Sequence, residues 1–213
     1  MVVVEPDMKV RIVQAATRLF AERGFDATSV QAVADAVGIR KPSLLWHFPS
    51  KDELRRAVVE QLLVHWKDEL PRVLHEAQSS MGRLDGVLHA LIGFFVGEPN
   101  RARLLVREML DRPAAMRELF RAHLQPWTNV ITDYIRMAQE AGRVHPDLDP
   151  ESFAIQVVTM AVGTVATGDV TAAMLGASWT DPVQAQLDEL LRIARAALFL
   201  PRPPREPSGA DDG

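Results

Sequence analysis

Five cations, Arg40, Lys41, Lys51, Arg55 and Arg56, fall between Gly38 and Arg56 against two acids, Asp52 and Glu53. Side chains of this kind at this density neutralise phosphates. The surrounding chain has the opposite balance. Residues 1–60 carry nine Lys/Arg against eight Asp/Glu, the remainder fifteen against twenty, and the whole chain has a net charge of −4. A local basic patch on an acidic body is the electrostatic footprint of a nucleic-acid reader. Arg55 and Arg56 read as a solvated face that adds to this potential.

Residues for other chemistry are lacking. There is no cysteine, so disulfides, thiolate nucleophiles and Cys-ligated metals are excluded. The six histidines, His47, His65, His75, His89, His123 and His145, include no i, i+4 pair, and none follows a Glu by three residues. No Gly-x-Gly-x-x-Gly, Walker loop or Gly-x-Ser-x-Gly occurs. The chain is therefore expected to be no enzyme and to hold no cofactor or metal. Met1–Glu5 lacks the charged and long apolar regions of a signal peptide, which gives a cytoplasmic address. The apolar stretch 152–180 is interrupted by Gln156, Thr159, Gly163, Thr164, Thr167, Gly168 and Gly176, so it is read as buried helix and no membrane partner is expected.

The elements that must position the patch are all helical, because apolar residues recur at three- and four-residue spacing and no strand-like alternation persists. The first helix, near 8–23, carries Ile12, Ala15, Ala16, Leu19 and Phe20 on one face and stops at Gly24. A second opens at Thr28, which with Gln31 matches a capping box, and buries Val30, Val33, Ala34 and Val37. Small Ala34, Gly38 four residues on, and Ile39 with Leu44 are what two helices crossing closely through a tight turn require. The helix through 41–47 is thereby presented outward, able to enter a major groove about 12 Å wide. Ser50 and Glu53 form another capping box, opening a helix with Leu54, Ala57, Val58, Gln61, Leu62 and His65 on one face, which Pro71 should kink or close. Further helices are expected at 83–96, 100–110, 114–124, 126–141, 150–167 and 182–199, several started by proline. Residues 201–213, with four prolines, read as a disordered tail.

These blocks resemble the TetR family of transcriptional regulators. Thr17-Arg18-Leu19-Phe20-Ala21-Glu22-Arg23-Gly24-Phe25, Thr28-Ser29-Val30, Ala34-Asp35-Ala36-Val37-Gly38-Ile39 and Trp46-His47-Phe48-Pro49-Ser50-Lys51 match its signature in order and spacing over about residues 8–66. The resemblance implies an all-α chain with a three-helix helix-turn-helix DNA-binding domain at 1–66, its motif at about 29–48, and a larger helical ligand-binding and dimerisation domain at 67–200. It further implies a homodimer on a pseudo-palindromic double-stranded DNA operator, acting as a repressor released by a small apolar or amphipathic effector. By the same carry-over Lys41, Pro42, Ser43, Trp46 and His47 face the groove, Ser29 and Lys51 hold phosphates, and Gln31 reaches a base. Plainer readings stand beside these: Trp46 and His47 as core and cap, and Gln31 as a capping residue. Two positions depart from the pattern. Arg40 replaces the usual Ser cap and adds a cation for a phosphate or guanine edge, and Leu45 replaces the usual Tyr, to meet a thymine methyl or simply to pack.

In the larger domain the effector candidates are Phe94, Phe95, Met109, Trp127, Tyr134, Met137 and Met160, with His89, Arg103 or Arg107 as orienting polar groups. The helix at 150–167 is apolar nearly all round, and the last helix adds an apolar face. Val158, Val162, Leu187, Leu190, Leu191 and Ala194 are therefore expected at the dimer seam. The rival function is a helical interaction or scaffold protein whose helix-turn-helix no longer binds DNA. Net charge and Leu45 favour that rival, while Arg40 and Lys41 oppose it.

Overall fold

Side chains on α4 (Lys51–Glu76) face two hydrophobic cores, and the chain is arranged around that division. The computed structural model describes residues 7–76, 80–174 and 180–200. Before α4 come α1 (Met8–Arg23), α2 (Val30–Val37) and α3 (Lys41–His47). After it come α5 (Ser80–Val96), α6 (Pro99–Asp111), α7 (Pro113–His123), α8 (Gln125–Glu140), α9 (Pro150–Thr171) and α10 (Pro182–Leu198), with a 3-10 turn at Ala172–Met174. The expected disordered tail lies outside the described residues.

The head is α1 to α3 with the start of α4, closed over Ile12, Ala16, Phe20, Val33, Leu44, Leu54 and Val58. The body core gathers Val59, Leu63, Trp66 and Leu70 of α4 with residues of α5, α6, α9 and α10. α6 is shared as well. Its Leu104 enters the head core, while Ala102 and Leu105 enter the body core. The two units therefore meet along continuous helices, and residue 66, the expected boundary, falls in the middle of α4.

Local chemistry explains most helix ends. Asp149 accepts the Ser152 N–H at 2.7 Å and Asp181 the Gln184 N–H at 3.0 Å, each followed by a proline at the helix start. Other ends differ from expectation. The cap of α2 is Ser29, which accepts the Ala32 N–H at 3.0 Å, while the buried Thr28 hydroxyl is turned inward to the carbonyls of Leu19 and Gly24. Gln31 donates to Asp35 at 2.6 Å instead of reaching back, so no capping box forms. Pro71 neither kinks α4 into two helices nor ends it. The proline ring is on the exposed side, while Leu70 and Val73 beside it are held in the core. Gln61 and His65 lie outside the buried stripe of α4.

By length and composition the segment Pro150–Met174 is apolar enough to cross a membrane, so its polar interruptions do not deny it that span. Val157, Ala161, Val162 and Val165 of this helix nevertheless pack into the body core. At Gly168 a Cβ would stand 2.4 Å from the Val183 side chain, so α9 and α10 approach as closely as they do only because that position has none.

Candidate nucleic-acid interface

The turn between α2 and α3 is built as the residue types require. Ala34 is fully buried where the helices cross, and Gly38 takes φ 75°, a left-handed conformation that favours glycine. The Ile39 N–H then donates to the Ala34 carbonyl at 3.0 Å, and Leu44 is buried in the angle. Leu44 fixes the rotation of α3, so Lys41, Pro42, Ser43 and Trp46 project into solvent and Leu45 and His47 sit half-buried at the flanks. Trp46 is 82 % exposed and lies edge-on to His47 at 4.8 Å. Burying an indole is ordinarily favourable, so one held in water on a rigid helix is poised for a partner surface. Arg40 has no side-chain cap bond; its carbonyl accepts the N–H groups of Ser43 and Leu44 and its guanidinium is exposed.

Two further groups border the same face. Ser29 is exposed at the start of α2, its hydroxyl oxygen accepting the Ala32 N–H. Lys51 opens α4, its ammonium 4.2 Å above the Phe25 ring and donating to the Asp26 carbonyl at 3.4 Å. That support holds the charge beside the first turn of α4, where free N–H groups favour an anion.

Of the expected solvated pair, Arg56 is on the surface and Arg55 is not. Arg56 is paired with Glu60 at 2.7 Å. Arg55 is turned inward at 14 % exposure and donates at 2.6 Å to Glu108 of α6, itself only 4 % exposed. Phe25 completes this joint, with the guanidinium groups of Arg55 and Arg112 at 5.4 and 4.8 Å from its ring. Sequence reasoning missed the cluster. The available signal was that Arg55 stands four residues before Val59, on the stripe that continues through Leu63, Trp66 and Leu70 into the body core.

The ten effector candidates are dispersed. His89, Arg107, Met109, Met137 and Met160 are exposed on four helices. Arg103 is ion-paired with Asp169, Phe95 is buried, Trp127 packs on the body core, and Tyr134 lies 5.2 Å under the Arg83 guanidinium. Phe94 alone of them lines a cleft of about 770 Å3 between α1 and the body, and Arg103 a smaller one of about 420 Å3. Of the six seam candidates, Val162, Leu187, Leu190, Leu191 and Ala194 are already covered within the single chain, and Val158 is exposed. The apolar side chains left outward on these helices are Ile155, Val158, Met160 and Val170 of α9 and Ile193 of α10. Among the described residues no cluster of three or more His, Asp or Glu could hold a metal.

A compact head that projects one short helix from a larger helical body defines a helix-turn-helix regulatory protein. Residues 12–58 match the profile of the bacterial regulatory proteins of the tetR family, and residues 104–174 that of the tetracyclin repressor-like C-terminal domain. The biofilm operon negative regulator IcaR of Staphylococcus epidermidis is 30% identical over 146 residues, 68% of this chain and 76% of that protein. The repressor KstR2 of Mycobacterium tuberculosis is 29% identical over 65% of this chain and 70% of its own length. In fold, a tetR-family regulatory protein from Rhodococcus RHA1 superposes with TM-score 0.72 at 18% identity, covering 91% of this chain and 98% of its own. The chain belongs to the tetR family of transcriptional regulators and is a regulator, not an enzyme.

Proposed function

We propose that the chain is a cytoplasmic homodimeric repressor that places α3 of each subunit in a major groove of a pseudo-palindromic operator and leaves the DNA when a small molecule binds. The observation that carries DNA reading is the split on α3: Leu44 is buried, while Trp46, Lys41, Pro42 and Ser43 face water beside exposed Arg40. Lys41, Pro42, Ser43, Trp46 and half-buried His47 and Leu45 then meet the groove, Arg40 and Lys51 supply charge, Ser29 a phosphate contact, and Gln31 a base contact once released from Asp35. A pair of heads is needed because one such helix reads too few bases for useful specificity. Repression is what the names of IcaR and KstR2 state for those relatives, and it is carried over to this chain on that ground.

Selection of bound fragments from random DNA, followed by footprinting, tests the reading. Two equivalent half-sites about one helical turn apart are expected. A single short asymmetric footprint, or no enrichment, overturns it.

A further inference from the structure

The cleft of about 770 Å3 lies between α1 and the end of α2 on one side and the middle of α4 and the α5–α6 turn on the other. Its volume suits a small organic molecule. The floor is aromatic. The His65 ring stacks on Phe94 with centroids 4.4 Å apart and 16° between planes, and Trp66 meets the same Phe94 ring edge-on at 5.1 Å.

Three guanidinium groups surround that floor, and they are differently committed. Arg11 of α1 donates to the Val37 carbonyl at 3.2 Å. Arg101 of α6 lies 4.4 Å over the Phe94 ring and donates one N–H to the Phe94 carbonyl at 2.9 Å, leaving its other N–H groups unengaged. Arg18 is exposed on α1 and has no partner among the described residues. Asp68 and Glu98 are the acids on the same walls. Partial desolvation against Phe94 holds His65 below its usual range, so it is neutral near pH 7. Three cations against two carboxylates leave one positive charge in excess, which suits a monoanion, whereas a dianion would meet the two acids. A guanidinium pairs with a planar carboxylate through two parallel bonds, and with Phe94 covered by His65 on one face and Arg101 on the other, the outward face of the His65 ring is the flat surface left for an apolar body.

We propose that this cleft binds a small monoanionic amphiphile, a carboxylate on a flat apolar body, held at the acid by Arg18, with Arg101 adding positive charge, and beneath the body by the outward face of the His65 ring. Its effect on DNA rests on the proposed repressor function; the binding itself does not. A ligand wedged here touches the head on one side and the body on the other, so it favours one spacing between them and shifts operator affinity by its differential affinity for the two spacings.

Naphthalene-1-carboxylate, its uncharged carboxamide and 1-naphthylmethylammonium, titrated calorimetrically into the full chain, test the site. The acid is expected to bind about tenfold tighter than the amide, the size of a charge-assisted hydrogen bond. Arg18→Gln should remove that preference and Arg18→Lys restore part of it, with thermal midpoints unchanged because Arg18 is exposed. Equal binding of all three probes, or an acid preference that survives Arg18→Gln and Arg101→Gln together, overturns the site. Operator titrations run in parallel separate the two readings. Ligand-free protein that binds no DNA removes the repressor reading while the calorimetry still decides the cleft. Arg18-dependent acid binding without change in operator affinity overturns the wedge.

Discussion

Leu44 and Trp46 are two residues apart on α3 and have opposite jobs. Leu44 is buried, so Leu44→Ala should cost about 2–5 kcal/mol of stability, with DNA binding lost alongside it. Trp46 is 82 % exposed, so Trp46→Ala should change stability by no more than about 0.5 kcal/mol while weakening operator binding. A thermal melt and a binding titration on each variant check the split; Trp46→Ala with parental affinity would remove the indole from the interface. His65 gives a pH prediction. Partial desolvation in the cleft is the main cause of its lowered pKa and nearby Arg101 adds to it, while Glu69 and Asp68 oppose it. The folded ring stays neutral where the unfolded one protonates, so unfolding takes up a proton below the usual value of 6.5. Its contribution is complete above that pH and is lost as pH falls through it toward the lower folded value. His65→Gln should flatten this region of the curve of thermal midpoint against pH, and parallel curves for the two proteins would show that the ring is not the titrating group.

Between elements, the Arg55 to Glu108 pair fastens α4 to α6 where both helices are shared by head and body. Removing one partner strands the other's charge away from water. Arg55→Leu is therefore expected to destabilise by about 3–5 kcal/mol, and adding Glu108→Leu to recover most of that loss. A double-mutant cycle on unfolding free energies measures this, and strict additivity would show that the pair does not couple the helices. The pair also shows where the sequence ceases to inform. Helix starts at Pro150 and Pro182 were legible, and those at Pro99 and Pro113 to within one residue, because a missing N–H and a fixed φ act within one turn. The α2–α3 turn was legible for the same reason, since Ala34, Gly38 and Leu44 each meet a local steric demand. Thr28 misled because its hydroxyl is claimed by Leu19 and Gly24, carbonyls of the preceding helix and turn that a capping pattern does not contain. Arg55 and Glu108 are 53 residues apart, and only the fold brings them together. The outward face of α3 could be foreseen from its apolar plug, whereas the effector candidates could not be sorted, because a helical period does not distinguish a residue facing core from one facing a cavity or water.

At the scale of the whole molecule the proposed homodimer requires two heads held at a fixed spacing, and α9 offers an uncharged surface for that pairing. Its outward side presents Ile155, Thr159, Met160, half-buried Gly163, Thr167 and Val170, all uncharged, and α10 adds exposed Ile193. Apolar and small residues on one helix stripe allow a second copy to approach closely across a two-fold axis, burying the same patch on both chains. Leu190 cannot test this seam. It is 6 % exposed within its own chain, so Leu190→Glu places an unpaired charge in the body core and should unfold the subunit itself before any dimer could dissociate. Gly163 can test it, because a Cβ built there meets nothing within 4 Å of the chain itself. A side chain starting at 163 therefore has open space at its Cβ in the isolated subunit, and Gly163→Leu replaces a poor helix former by a good one, worth up to about 1 kcal/mol. Only a partner helix would feel the added side chain. The variant is expected to elute as a folded monomer by light scattering, with a thermal midpoint that no longer rises with protein concentration, and to protect one half-site instead of two. A stable Gly163→Leu dimer with parental operator affinity would move the seam to another face of the body.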